Sequence, residues 1–250
     1  MAPRETITVF GGTGFVGRHV VRLLAQAGYT VKVPTRAPES AYFLKPCGVP
    51  GQIVPLACDT RNPESLRAAV AGSVAVVNTI GILFEKRRNT FGRLHAELPG
   101  VIGRISAQEG VQALVHVSAL GIETNPSRYA RSKREGETAL LREYPGAIIL
   151  RPSVIFGPED NFFNMFARLT LIAPALPLIG GGRTKFQPVY VGDVAQAVMT
   201  ALHNPACAGH IYELGGPETV TLRQVFEKIL YYTGRRRWLV PVPFWAARLK

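Results

Sequence analysis

Through the first two-thirds of the chain, short continuous runs of apolar residues alternate with longer stretches whose apolar positions recur at helical spacing. Such runs suit strands buried on both faces, and their alternation with helices predicts βαβ units and a parallel sheet. The pattern predicts strands over Thr6–Phe10, Val31–Pro34, Ile53–Cys58, Ser73–Thr79, Ala113–Ser118 and Ala147–Leu150. It predicts helices over Arg18–Ala27 (closed by Gly28), Pro63–Ala71, around His95–Glu109 (closed by Gly110) and Tyr129–Glu143. Pro63 presets φ at a first helical position, and Glu64 places a negative charge in the first turn, where the helix dipole favours it. A loop bearing Lys86, Arg87 and Arg88 follows the fourth strand.

After about Arg151 the texture changes. Pro152, Pro158, Pro174 and Pro177 precede Gly180-Gly181-Gly182, and strand-like and helix-like stretches interleave less regularly. The expected fold is therefore α/β: a Rossmann-type doubly wound parallel sheet over residues 1–155, with a smaller, partly interwoven substrate-side region over 156–250. Leu169–Ile179 is apolar but contains two prolines and is too short to span a bilayer, so it reads as a loop packed over the sheet.

Composition narrows the class. A chain of 250 residues, 47% hydrophobic and 18% charged, can bury one substantial core. It has no internal repeat, no low-complexity segment and no apolar run long enough for a transmembrane helix. The first strand begins too early to leave room for a signal peptide. Cys47, Cys58 and Cys207 show no metal-ligand spacing and read as free thiols in a reducing compartment, which makes the cytoplasm the default and a metal site unexpected. The net charge of +12 favours anionic contacts of some kind. Nucleic acid is not expected, since neither an aromatic-interleaved RNA-binding signature nor zinc-finger spacing is present.

Candidate chemistry starts right after the first strand. Gly11-Gly-Thr13-Gly14-Phe15-Val16-Gly17 sets three glycines at GxxGxxG spacing before a helix. Glycine there allows a tight turn, close approach of a pyrophosphate and packing of helix on strand, while the helix N-terminus offers free N–H groups to phosphate. The second strand ends Val33-Pro-Thr-Arg36, without the carboxylate that would hold an adenosine ribose. Arg36, with Arg18 within reach, can neutralise a 2′-phosphate, so NADP(H) is preferred and NAD(H) is the alternative. Asp59 is placed either to meet the adenine edge or, like Asn62, to cap the next helix.

Tyr129-Ala-Arg-Ser-Lys133 puts tyrosine and lysine on one helical face, where the ammonium can lower the phenol pKa and hold the cofactor ribose. Ser118 ends the fifth strand, at the carboxyl edge where parallel sheets build their sites.

These pieces resemble a short-chain dehydrogenase/reductase of the extended or atypical type. The resemblance runs through Gly11–Gly17, Asp59, Val77-Asn-Thr79-Ile80-Gly81, His116-Val-Ser118, Tyr129 with Lys133, Arg151-Pro152-Ser-Val154-Ile-Phe-Gly-Pro158 and Pro188–Val194. It implies Tyr129 as acid/base, Lys133 as its activator and Ser118 as substrate orienter. It also implies that Thr79, Ile80 and Gly81 border the cofactor, with Pro152 and Val154 by the nicotinamide. A narrower likeness, carried by His116–Gly121, Ser127–Lys133, Gly157–Asn164 and Val240–Trp245, is to the NAD(P)H-binding accessory subunits of respiratory complex I and their bacterial relatives. That group holds the nucleotide as a structural element, and the likeness implies complex I subunits as partners and a peripheral place on the cytoplasmic face of the inner membrane. His95 stands where many relatives carry a catalytic asparagine, and the resemblance leads one to expect a further piece after Lys250.

Arg235-Arg236-Arg237-Trp238 and Phe244–Lys250 mix cations with aromatics. They suit either an anionic membrane surface or a strand and helix with solvated arginines. Two functions stay open: a nucleotide-holding subunit, or an active NADP(H)-dependent oxidoreductase or epimerase/dehydratase-like enzyme using Ser118, Tyr129 and Lys133.

Overall fold

The structure is a computed structural model, and it describes residues 5–243. The chain divides into two compact units: Met1–Pro152 with Gly192–Leu214, and Ser153–Val191 with Gly215–Lys250. The first unit is discontinuous in sequence, resuming at Gly192 after the first segment of the second.

In chain order the first unit contributes β1 (Thr6–Phe10), α1 (Phe15–Gln26), β2 (Thr30–Thr35), β3 (Ile53–Ala57), α2 (Pro63–Val70) and β4 (Ala75–Asn78). It continues through a π-helical turn over Gly92–Glu97, then α3 (Leu98–Gln108), β5 (Ala113–Val117), α4 (Arg128–Glu143) and β6 (Ile148–Pro152). The second unit follows with β7 (Ile155–Phe156), α5 (Phe163–Ile172), β8 (Ala175–Ile179), β9 (Lys185–Phe186) and β10 (Val189–Tyr190). Then α6 (Val191–His203) and β11 (Ile211–Leu214) return to the first unit, and β12 (Val220–Thr221), α7 (Leu222–Thr233) and β13 (Trp238–Val242) complete the second.

The first unit is a seven-stranded parallel sheet in the order β11-β6-β5-β4-β1-β2-β3. Alternation along each strand feeds two cores. Ile7, Val9, Val77, Val115 and Ile148 pack with Val20, Val21 and Leu24 of α1 and Val198 of α6. Phe10, Val76 and Leu114 face Leu66, Ile102 and Leu140 on α2, α3 and α4. Each such side chain contributes about 1.5–3 kcal/mol when fully buried. Because β1 lies between β2 and β4, connections leave its carboxyl end in opposite directions, the place where doubly wound sheets form their ligand crevice. Gly103 permits α3 and α4 to pack closely, since a Cβ there would fall 2.8 Å from Leu140 Cδ1.

The second unit has its own core of Leu176, Leu178, Val225, Phe226 and Ile229, with Phe162 and Phe166 against it. Leu169–Ile179 is not a loop, as its prolines suggested. Its first residues end α5, and Ala175–Ile179 pairs in parallel with β13. Pro177 is tolerated because β8 has only that one partner, so its missing N–H costs no ladder bond on the open side. Arg235 Nη1 donates to Ala167 O and Thr170 Oγ1 (3.3 and 2.9 Å), and Arg237 Nε to Thr170 O (2.9 Å). These two cations cap the end of α5, where the dipole favours them. Phe244–Lys250 lie outside the described residues. Among the described residues, no helix is long and apolar enough to cross a membrane, and no cluster of ligating side chains could hold a metal.

Candidate functional site

The glycine turn leaves β1 with Gly11 at φ +75°. A Cβ at Gly11 would fall 2.7 Å from Thr79 Oγ1, and one at Gly17 would fall 2.1 Å from the Gly11 carbonyl oxygen. Gly12, which spacing alone did not single out, is needed as well: its Cβ would meet Val33 Cγ1 at 2.9 Å. Helix α1 starts at Phe15 with Gly14 at its N-cap, no side-chain cap and no acidic residue in its first turn. Its leading N–H groups and dipole are thereby kept for an anion. Val16 packs into the core behind the turn. Gly11, Thr13, Gly14, Phe15, Val16 and Gly17 make up this turn, whose free N–H groups have the chemistry to receive a phosphate.

Arg18 folds over the turn, donating to Gly14 O and Thr13 O at 3.3 Å each and stacking on the Phe43 ring. Arg36 is exposed at the carboxyl end of β2, and no carboxylate among the described residues pairs with it. Asp59 is less open than its position suggested. Arg61 grips both its oxygens and holds the carboxyl well below the usual range. The cap of α2 falls to Asn62, whose Oδ1 accepts from Glu64 N at 3.0 Å.

The segment after β4 threads between the turn and α4. Thr79 Oγ1 donates to Phe10 O, and Ile80 N–H to Asn78 Oδ1. Gly81 lies beside Lys133 Nζ and His95 Nε2, each within 4 Å of where its Cβ would be. Ile82 N–H donates to His95 Nε2 at 3.0 Å. Ser118 is buried at the end of β5 with its Oγ unpartnered, while Lys133 Nζ donates to the neighbouring Val117 O at 3.2 Å. Burial pushes the Lys133 ammonium down to about 8, with Glu137 opposing. Tyr129 packs edge-on against Phe91 and His95. Here the structure corrects the electrostatic expectation: burial pushes the phenol up, and no lowering by Lys133 offsets it. Pro152 O accepts from Leu120 N–H in the first unit, and Val154 O from Val189 N–H in the second.

Sequence reasoning missed the anchor beneath this helix. Arg151, on β6, pairs with Glu137 of α4 through Nη2 and Nε at 2.5 and 3.1 Å, and with Glu123 at 2.5 Å. The three residues are far apart in sequence, so no local spacing announces them.

Two imidazoles sit in this core. Burial, with the Lys133 charge adding to it, pushes His95 down to about 3 and His116 well below 6.5. Both are neutral when folded, whereas the unfolded chain takes up protons below about pH 6.5. Stability is therefore fully present above that pH and falls below it, at up to about 1.4 kcal/mol per pH unit per histidine. Urea unfolding at about pH 7 and pH 5 should show the drop, and His95→Gln should flatten the slope. Equal stabilities at the two pH values would contradict the assignment.

In the second unit a cavity of about 540 Å³ is lined by Phe163, Ala167, Val225 and Ile229. Of its polar lining residues, Asp160 and Asn164 hydrogen-bond each other and Gly157, and Lys228 pairs with Glu218 at 3.0 Å.

A parallel sheet with a glycine cradle at its switch point defines an NAD(P)-binding protein of Rossmann type. Residues 7–215 match the NAD dependent epimerase/dehydratase family, and the chain belongs to it. Within reach of that family, it is 40% identical over 95% of its length to the Arabidopsis thaliana protein "NADH dehydrogenase [ubiquinone] 1 alpha subcomplex subunit 9, mitochondrial", covering 60% of that protein. The Rattus norvegicus protein of the same name is 37% identical over 97% of this chain and 66% of its own length. The Neurospora crassa "NADH-ubiquinone oxidoreductase 40 kDa subunit, mitochondrial" is 33% identical over 96% of this chain and 63% of its own. The chain thus spans three-fifths to two-thirds of these relatives. In fold it is similar to DesIV, a dTDP-glucose 4,6-dehydratase from Streptomyces venezuelae solved with NAD and TYD bound: TM-score 0.80, 22% identity, 96% of this chain and 84% of that one.

Proposed function

We propose that the protein holds NADP(H) as a bound nucleotide and serves as an accessory subunit of a respiratory NADH dehydrogenase of the complex I type. The observation that carries the nucleotide half is the cradle: an uncapped helix N-terminus behind glycines that have no room for a side chain, with Arg36 exposed just past β2 and paired with no carboxylate among the described residues. Gly11–Gly17 would take the pyrophosphate, Arg36 with Arg18 the 2′-phosphate, and Thr79–Gly81 the far side of the nucleotide. Lys133 would hold the nicotinamide ribose, with Pro152 by the ring. The bound group would supply hydride chemistry if a substrate reached it. The subunit half rests on the similarity to the complex I proteins, and a net charge of +12 suits an acidic partner or an anionic membrane surface.

Titration of the purified protein with NADPH and NADH tests the preference. NADPH should bind more tightly, and Arg36→Asp should weaken NADPH by about tenfold or more while leaving NADH little changed. Tighter NADH binding by the unaltered protein would overturn the preference. Retention of NADPH together with co-purifying NADH dehydrogenase subunits supports the accessory role. The unpartnered Ser118 hydroxyl beside the Lys133 anchor favours a second reading as an active oxidoreductase or epimerase/dehydratase. Carbonyl-dependent NADPH oxidation that disappears in Tyr129→Phe would establish that reading instead.

A further inference from the structure

His95 has exhausted its hydrogen-bonding capacity in one arrangement. Its Nε2 accepts from a backbone N–H, that of Ile82, so this nitrogen carries no proton. The proton is then on Nδ1, which donates to Ser132 Oγ at 3.2 Å, and Ser132 Oγ donates onward to Tyr129 O at 2.8 Å. The ring stacks on Phe91 and meets Tyr129 edge-on, with centroids 5.3 Å apart in both cases. It is 1% exposed. Its backbone is fixed too: a Cβ at Gly136 of α4 would fall 1.7 Å from His95 O, so only glycine lets the helix lie this close. The π-helical turn over Gly92–Glu97 places the residue there, an irregularity of a kind frequent at functional sites.

We propose that His95 is a positioning residue: a neutral hydrogen-bond acceptor that ties the nucleotide-bordering segment Thr79–Ile82 to the helix carrying Tyr129 and Lys133, and that relays no proton. The proposal rests on the nucleotide-binding reading for its consequence and on the geometry above for its substance. A Cβ on Gly11 would strike Thr79 and Ile80, and one on Gly81 would lie within 4 Å of Lys133 Nζ and His95 Nε2, so the turn, this segment and α4 are closely packed. Losing the Ile82 bond would therefore loosen the wall against which the glycine turn packs. The titratable groups around the ring are Lys133 and Tyr129 from α4 and His116 from β5. A positive charge on His95 would face the Lys133 ammonium.

The chemistry separates two amide replacements. A glutamine carries its side-chain oxygen as many bonds from the backbone as Nε2 of histidine, whereas an asparagine reaches only the Nδ1 position. His95→Gln should keep NADPH affinity within about threefold of the unaltered protein, and His95→Asn should weaken it about tenfold or more. In the nucleotide-free protein, the Ile82 amide should be protected from hydrogen exchange, retain that protection in His95→Gln and lose it in His95→Asn. Nitrogen-15 NMR should show His95 as the Nδ1-protonated neutral tautomer, without titration between about pH 5 and 8. Equal NADPH affinity in the two variants, an Ile82 amide indifferent to them, or a His95 that titrates in that range would overturn the proposal. The exchange and NMR measurements need no nucleotide. If the unaltered protein binds neither NADPH nor NADH, the functional reading fails while these two measurements still decide the role of His95.

Discussion

Gly17→Ala is expected to weaken nucleotide binding by about a hundredfold or more and to lower stability. The new methyl would lie 2.1 Å from the Gly11 carbonyl oxygen, an atom of rigid backbone rather than the tip of a side chain. Either α1 moves away from the turn or the turn opens, and both displace the N–H groups meant for the phosphates. Overpacking costs about 1–3 kcal/mol in stability. Charge-assisted hydrogen bonds to phosphate are worth about 1.5–3 kcal/mol each, so losing two weakens binding by about a hundredfold or more. Gly14→Ala, whose Cβ would stop 3.1 Å from the same oxygen, should be the milder variant. Thermal melts with and without NADPH read both effects, and a Gly17→Ala protein that NADPH still stabilises would refute the assignment of the turn.

The largest expected loss of stability comes from Arg151→Met. Glu137 is buried on α4, and without the guanidinium its carboxylate would lose both hydrogen bonds that satisfy it, at a cost of about 3–5 kcal/mol. Removing Glu137 as well, in Arg151→Met with Glu137→Leu, should restore much of that loss, because an apolar pair of similar size often replaces a buried ion pair without penalty. Glu123, whose side chain is 59% exposed, can turn to water and should matter little. Urea unfolding of the two single variants and the double gives the coupling. Simple additivity would show that the pair is incidental to holding α4 on β6.

How much of this was legible depended on whether the cause was local. The glycine turn, the Tyr129/Lys133 face and the five strands up to Ser118 announce themselves because steric need and period act within a few residues. Strand β11 does not: Ile211-Tyr-Glu-Leu214 is short, lies at the sheet edge and keeps Ile211 and Tyr212 partly in solvent, so no continuous apolar run marks it. Pro174 and Pro177 disguised β8, whose single partner is more than fifty residues away in sequence. The rise of the Tyr129 pKa comes from packing against Phe91 and His95, and the spacing of tyrosine and lysine carries no trace of it. The candidate residues stand in the sequence; the direction in which burial moves their protonation does not.

The position of β11 also bears on how the chain comes to be folded. The strand that covers β6 is delivered only after the whole segment Ser153–Val191 has been synthesised. Until then a nascent chain holding Ile148–Pro152 presents an open row of N–H and C=O groups, a template for another chain. Premature termination anywhere between Pro152 and Ile211 should therefore yield an aggregating fragment rather than a smaller nucleotide binder.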